Sequence, residues 1–179
     1  MVGVNFTDVF TAWVVADLGS GLVHWFEDRY GNPDWPWPWG EHVAKPNIEH
    51  HFDPFKLTRS GYFERNATTL IASLPAAAVA AMLGAWPVAA GFLWLSQANE
   101  IHSWAHQKCS RPIRLLQAVG LLASPEAHAE HHKRPFTRNY CTVTDWLNPI
   151  LSAVGFWERL ERVVCLLTGI RPRRERELF

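Results

Sequence analysis

A long run of residues without any ionisable side chain most constrains how this chain can fold. The run extends from Ala67 to Ala98. One helix of that length would measure about 48 Å, whereas the hydrocarbon core of a bilayer is only about 30 Å thick. The sequence Gly84-Ala85-Trp86-Pro87 near the middle of the run is typical of a turn. We therefore predict two membrane-crossing helices, at residues 67–84 and 87–106.

The charged residues are separated from the apolar ones along the chain. All 17 lysines and arginines lie within residues 29–65 and 108–176. An earlier apolar run, from Val9 to Phe26, is interrupted only by Asp17 and His24. This run predicts a further transmembrane helix at about residues 6–26.

These patterns predict an all-α integral membrane protein with about three transmembrane passes and a cytoplasmic, histidine-rich helical cap. Three passes place residues 27–66 and 107–179 on the same side of the membrane. That side carries every lysine and arginine, so we expect it to be cytoplasmic. Residues 1–179 are expected to form a single domain. The alternative is a soluble helical protein with a buried hairpin, which gives no reason for so complete a division of charge.

The overall composition excludes two other classes of protein. The formal net charge is +0, so the chain lacks the basic field that nucleic-acid-binding proteins use. The cysteines Cys109, Cys141 and Cys165 are odd in number and widely spaced. They therefore predict neither a disulfide framework nor a cysteine-based zinc site.

The histidines fall into groups with spacings suited to metal binding. Residues four apart on a helix share a face, so His102 and His106 point in the same direction. His128, His131 and His132 are related by three and four positions and share a face in the same way. We expect the whole set to converge at the cytoplasmic ends of the predicted spans. The candidate metal ligands are His24, His42, His50, His51, His102, His106, His128, His131 and His132.

The number of imidazoles favours two metal ions over one. A catalytic zinc takes three protein ligands and a structural zinc four, so this set is too large for a single zinc. Imidazole binds iron, copper, nickel and zinc, and ligand type alone does not choose among them. Two irons with open positions would activate dioxygen strongly enough to break an unactivated C–H bond. A site at the membrane edge would also be open to a lipid chain.

Polar residues near the histidines are candidates for supporting roles. Asp17 would lie inside the membrane, where a carboxylate is costly unless it has a partner. It is expected either to orient an imidazole or to pair with backbone or hydroxyl groups in the bundle. Asp28 lies on the same helical stripe as Asp17 and His24. Three further candidates lie beside the histidine groups: Asn99, to hold a metal-bound water, and Glu100 and Glu130, to carry protons.

The motifs together resemble one family of lipid desaturases, which includes plasmanylethanolamine desaturase and the plastid phosphatidylglycerol palmitate desaturase. The resemblance covers residues 16–173, and several motifs occur in the same order. The residues that carry it are Ala16-Asp17-Leu18-Gly19-Ser20-Gly21-Leu22-Val23-His24-Trp25 with Asp28, Lys45-Pro46, Glu49-His50-His51, Asp53-Pro54, Thr58-Arg59, Asn99-x2-His102-x-Trp104-x-His106, His128-x2-His131-His132, Asn139-Tyr140-Cys141, Trp146-Leu147-Asn148, Phe156-Trp157-x2-Leu160-Glu161 and Thr168-Gly169-x2-Pro172-Arg173.

The resemblance implies a di-iron centre, dioxygen as co-substrate, a membrane phospholipid substrate and an external electron donor such as a ferredoxin or a cytochrome b5-like protein. His42 departs from the family pattern; it would be a ninth ligand or an incidental loop residue, and we include it among the candidates. The implied ligands are His24, His50, His51, His102, His106, His128, His131 and His132.

The resemblance leaves two substrates open. The region around Glu49-His50-His51 is closer to the plasmanyl-lipid enzymes, which would convert an sn-1 alkyl ether into a vinyl ether. The region His128-Ala129-Glu130-His131-His132 is as close to the acyl-chain desaturases, which act near the carboxyl end of the chain.

Other functions predict different features. A hydroxylase would use the same oxidant on the same type of chain. A metal-binding regulatory membrane protein would hold metal without an oxygen-dependent product. A metal transporter would place its ligands at the membrane midplane, and a haem protein needs only one or two axial histidines. The desaturase is the hypothesis that accounts for most of the motifs.

Overall fold

The secondary structure of residues 3–173 is entirely helical. These are the residues that a computed structural model describes. Their helical elements confirm the predicted all-α class. The last six residues of the predicted cytoplasmic segment 107–179 lie outside the described part of the chain. The elements are α1 (Phe6–Tyr30), a π-helical turn (Gly40–Ala44), α2 (Lys45–His50), α3 (Lys56–Arg59), α4 (Tyr62–Met82), α5 (Trp86–Leu95), α6 (Ala98–Ala105), α7 (Arg111–Ala118), α8 (Pro125–His131), α9 (Leu147–Ala153) and α10 (Phe156–Thr168).

Helix α1 is the one described helix whose length and composition suit a membrane crossing. A capping box begins it: the Asn5 side chain accepts a hydrogen bond from the Asp8 amide at 3.1 Å, and the Asp8 carboxylate accepts one from the Asn5 amide at 3.0 Å. The helix continues four residues beyond the predicted end at residue 26. This extension places Asp28 one turn after His24, on the same face.

The predicted helical hairpin is present, but its second helix is interrupted. Helix α4 corresponds to the predicted span 67–84, and the expected turn follows it, with Gly84 at φ +74°. The predicted helix 87–106 is divided into α5 and α6 at Ser96 and Gln97. There the Ser96 hydroxyl donates to the Leu93 carbonyl at 2.6 Å, a local bond that competes with helix continuation. Helix α5 is consequently short for a transmembrane span.

Small residues allow α5 to pack closely against α1. A Cβ atom added to Gly91 would lie 2.6 Å from the Cβ of Val15, so no larger residue fits there. A Cβ at Gly19 would lie 2.9 Å from a methyl group of Leu95. Close approach of this kind is typical of helices that associate in a membrane.

A buried carboxylate attaches the segment before α9 to the middle of α1. Asp17 is fully buried and accepts hydrogen bonds from the amides of Val143 and Thr144, at 3.2 and 2.8 Å, and from the Thr144 hydroxyl at 2.8 Å. Of the two roles expected for Asp17, the structure shows pairing with backbone and hydroxyl groups rather than the orientation of an imidazole. This contact holds residues 142–144, and with them the nearby Tyr140, against α1.

Replacing Asp17 tests this structural role. We expect Asp17→Ala to lower the free energy of unfolding by about 2–4 kcal/mol, since it leaves two buried amides without an acceptor. Asp17→Asn keeps one acceptor oxygen and should cost roughly 1 kcal/mol. Denaturation of the purified protein in detergent measures both changes. A loss of bound metal at unchanged stability would instead assign Asp17 to the metal centre.

Candidate metal centre

Eight of the nine histidines come together between α1, α2, α6 and α8. They form two groups, and within each group the ligand nitrogens lie within 4.8 Å of one another. The first group is His50, His102, His106, His128 and His132, and the second is His24, His50, His51 and His131. His50 belongs to both, so the groups are adjacent and share one imidazole.

The nitrogens of the first group are arranged around a common point. His128 Nε2 lies 2.8 Å from His102 Nε2, 2.9 Å from His106 Nε2 and 3.0 Å from His132 Nε2. A ring nitrogen carries either one proton or one lone pair. These three contacts therefore cannot all be hydrogen bonds, and four nitrogens converging in this way mark a position for a metal ion.

The imidazoles of the second group are held by backbone carbonyls. Nδ1 of His24 donates to the Tyr140 carbonyl at 3.1 Å, and Nδ1 of His131 donates to the Arg138 carbonyl at 2.8 Å. His50 Nδ1 donates to the Asn47 carbonyl in the same way. The Nε2 atoms of all three histidines are buried without a hydrogen-bond partner. Bonds of this kind orient metal-binding imidazoles and fix their tautomer.

Asp28 lies among the nitrogens of the second group. Its carboxylate oxygens are 3.0 Å from His51 Nε2, 3.2 Å from His131 Nε2 and 3.8 Å from His24 Nε2. Asn47 donates to one of these oxygens, whereas Oδ2 has no hydrogen bond. Asp28 is thus positioned to act as a carboxylate ligand beside the imidazoles, or to hold their orientation.

The electrostatic environment keeps the imidazoles available for metal binding. Burial, together with neighbouring imidazoles, holds the pKa of His128 well below its usual value and lowers the pKa of His132 to about 2. Both rings are therefore neutral at physiological pH, with a lone pair free for a metal. The buried nitrogens without partners, the neutral rings and the adjacent carboxylate together fit two iron ions.

The other candidate residues lie outside the two groups. His42 is exposed, and its Nε2 accepts a hydrogen bond from the Trp37 indole at 3.2 Å. The structure therefore does not bring the ninth candidate ligand into the centre, and we omit it from the ligand set. His42 lies in the π-helical turn Gly40–Ala44, which follows the Trp-Pro sequence.

Asn99, Glu100 and Glu130 make other contacts. Asn99 donates to the Arg65 carbonyl at 2.9 Å, and Glu100 pairs with the Arg65 guanidinium at 2.8 Å, so both attach α6 to α4. Glu130 pairs with Lys133 at the surface. These contacts are structural. Asn99 also belongs to a cavity wall with His24 and His102, and the water-binding and proton-carrying roles expected of the three residues stay predictions.

A cavity of about 500 Å³ adjoins both groups of imidazoles. His24 of the second group and His102 of the first are both part of its wall. The wall is mostly apolar and extends between α1, α4 and α5. Its apolar residues include Leu22, Val23, Phe26, Ala72, Phe92 and Leu95.

The sequence matches one family model over nearly its whole length. The model describes a lipid desaturase domain and covers residues 13–175. This chain belongs to the lipid desaturase domain family. No solved structure matches it.

Relatives with assigned names include two kinds of desaturase. The chain is 34% identical to plasmanylethanolamine desaturase of Myxococcus xanthus, over 93% of this chain and 63% of the relative. It is 34% identical to plasmanylethanolamine desaturase 1 of Mus musculus, over 89% of this chain and 65% of the relative. It is 33% identical to the chloroplastic fatty acid desaturase 4 of Arabidopsis thaliana, over 92% of this chain and 53% of the relative. The chain thus spans between half and two thirds of the length of these lipid desaturases.

Several groups that build the centre were not found by reasoning on side chains. The carbonyl groups of Asn47, Arg138 and Tyr140 accept hydrogen bonds from three imidazoles. Every residue has a backbone carbonyl, so the sequence does not show which ones act as acceptors. Tyr140 is fully buried, and its hydroxyl donates to the Phe136 carbonyl at 3.0 Å. The sequence Asn139-Tyr140-Cys141 was the only available signal, as one of the motifs of the family resemblance.

Because His50 lies close to both groups, we expect different histidine variants to lose different amounts of metal. The wild type should hold about two irons per chain, and His106→Ala should retain roughly one, since it weakens only the first group. His50 lies between the groups, so His50→Ala should disturb both and lose most of the iron. Elemental analysis of purified protein gives these ratios. His42→Ala is the matched control and should keep the wild-type content; equal losses in His42→Ala and His106→Ala would contradict the ligand set.

Proposed function

We propose that this protein is a di-iron, dioxygen-dependent desaturase of a membrane phospholipid chain, and that it forms the vinyl ether of plasmalogens from a plasmanyl phospholipid. The observation that carries the proposal is the apolar cavity whose wall includes one imidazole from each metal-binding group. A chain lying in this cavity would pass both metal positions. The names of the two relatives at 34% identity favour the alkyl-ether substrate.

The chemistry requires an oxidant at the cavity wall. With two irons bound, the centre would supply the oxidising power to remove hydrogens from two adjacent, unactivated carbons. The chain's own residues prepare this position: His24 and His131 are oriented by backbone carbonyls, Asp28 fixes the rings around it, and the apolar wall excludes water.

The electrons require a partner. Desaturation passes two protons and two electrons from the lipid to dioxygen, and reduction of dioxygen to two waters needs two more electrons and two more protons. An external carrier, such as a ferredoxin or a cytochrome b5-like protein, would supply these electrons.

Three features support a membrane setting with the centre on the cytoplasmic side. Helices α1, α4 and α5 pack side by side and expose large apolar side chains such as Val9, Ile71 and Leu93. Exposed apolar surface of this extent is typical of contact with lipid. No lysine or arginine lies in residues 1–28 or 66–107, whereas the segments that hold His50, His51, His128, His131 and His132 are rich in both. These features are what three passes, with the imidazoles at their cytoplasmic ends, would require.

Lipid mass spectrometry tests the proposed reaction. A host that lacks the activity is supplied with an alkyl-ether phospholipid and expresses the wild type, His131→Ala or His42→Ala. We expect an acid-labile product two mass units lighter with the wild type and with His42→Ala, and none with His131→Ala.

The alternative results lead to different conclusions. An unsaturated acyl chain in phosphatidylglycerol would replace the alkyl-ether assignment with the reaction of an acyl-chain desaturase. A hydroxylated chain would replace desaturation with hydroxylation. Purified protein that holds iron but gives no product would identify a regulatory metal-binding protein.

Blocking the cavity tests where the lipid chain binds. Ala72 lies in the cavity wall, so Ala72→Trp should fill the space beside the metal positions and reduce turnover at least about tenfold, because the chain can no longer reach them. Iron content should stay unchanged. Ala78→Trp is the matched control, since Ala78 is exposed on the same helix and outside the cavity wall. Full activity of Ala72→Trp would show that the substrate chain binds elsewhere.

A further inference from the structure

Glu27 differs from every other carboxylate in residues 3–173. It is only partly exposed, yet no group in this part of the chain forms a hydrogen bond or an ion pair with its side chain. The remaining acidic residues there are either exposed or bonded to a partner. Glu27 also precedes Asp28, so a second negative charge lies close by.

The position of Glu27 connects it to the cavity. Its side chain forms part of the same wall as His24, one helical turn earlier. An ionised carboxylate beside an apolar wall is costly unless a positive charge compensates it. No lysine or arginine belongs to the cavity wall, so a bound ligand would have to supply that positive charge.

The cavity wall also carries aromatic rings. Phe26, Trp35 and Trp39 belong to the wall, and the rings of Phe26 and Trp35 stack with their centroids 6.0 Å apart. Trp39 is largely exposed and forms the rim. Tryptophan faces bind ammonium groups through cation–π attraction, and a nearby carboxylate strengthens such a site.

We propose that Glu27, Trp35 and Trp39 form a binding site for the ammonium group of a phospholipid headgroup. The same wall includes His24, His102 and the apolar residues Ala72 and Phe92, so one ligand in this cavity would combine an ammonium group with a hydrocarbon chain. Ethanolamine and choline lipids have this chemistry, and a glycerol headgroup does not. The inference rests on the proposed function, which places the lipid chain in this cavity.

Competitive lipid binding tests the site without relying on turnover. Purified holoprotein in detergent is mixed with equal amounts of two alkyl-ether phospholipids that differ only in an ethanolamine or a glycerol headgroup. Native mass spectrometry then gives the ratio of the bound lipids. We expect the wild type to favour the ethanolamine lipid by about tenfold and Glu27→Gln to bind both almost equally, as loss of a charge-assisted contact would produce.

Two further variants guard against misleading results. Glu64→Gln removes an exposed carboxylate outside the cavity wall and should keep the wild-type ratio. Glu27→Asp retains the charge and should retain a preference for the ethanolamine lipid, which keeps the test decisive if Glu27→Gln folds poorly. Equal binding of both lipids by the wild type, or an unchanged preference in folded Glu27→Gln, would overturn the proposal. Selective binding without any desaturated product would support the headgroup site and contradict the proposed reaction.

Discussion

The packing of eight imidazoles around two points, five of them on buried residues, is the constraint on which the rest of the structure depends. Buried polar nitrogens without partners are costly, and here the Nε2 atoms of His24, His50 and His131 have none. Packing these rings together is favourable only if something bonded to the nitrogens compensates for their burial, and metal ions do this. We therefore regard the folding of the helices around the centre and the binding of metal as coupled processes.

The helices can be understood from what they contribute to this arrangement. Helix α1 carries His24 and Asp28 on one face. Earlier in the same helix, Asp17 holds Val143 and Thr144, which follow Tyr140 in the chain. The interruption at Ser96 and Gln97 separates α5 of the apolar hairpin from α6, which carries His102. The same arrangement leaves an apolar cavity between α1, α4 and α5, with one imidazole from each group in its wall. The packing of the same helices thus forms both the metal positions and the space for a lipid chain.

Much of the centre could be predicted because helix periodicity determines which side chains share a face. The spacings of His102 with His106, and of His128 with His131 and His132, were sufficient to expect convergence, and the charge pattern was sufficient to expect the helical hairpin. The break at Ser96 was missed because a side-chain-to-backbone bond has no periodic signal. His42 was included because residue type does not reveal which way a side chain points; its ring is exposed and bonded to Trp37. Glu27 was missed because only the three-dimensional structure shows that it belongs to a cavity wall without a basic residue.

The central claim is that two metal ions lie side by side, with His50 between the two groups of ligands. Diffraction at the iron absorption edge tests it most directly. An anomalous difference map from crystals of the iron-loaded protein gives the positions of the metals independently of activity. We expect two peaks, one among the Nε2 atoms of His102, His106, His128 and His132, and the other between His24, His131 and Asp28. A single peak, or a peak next to His42, would contradict this account.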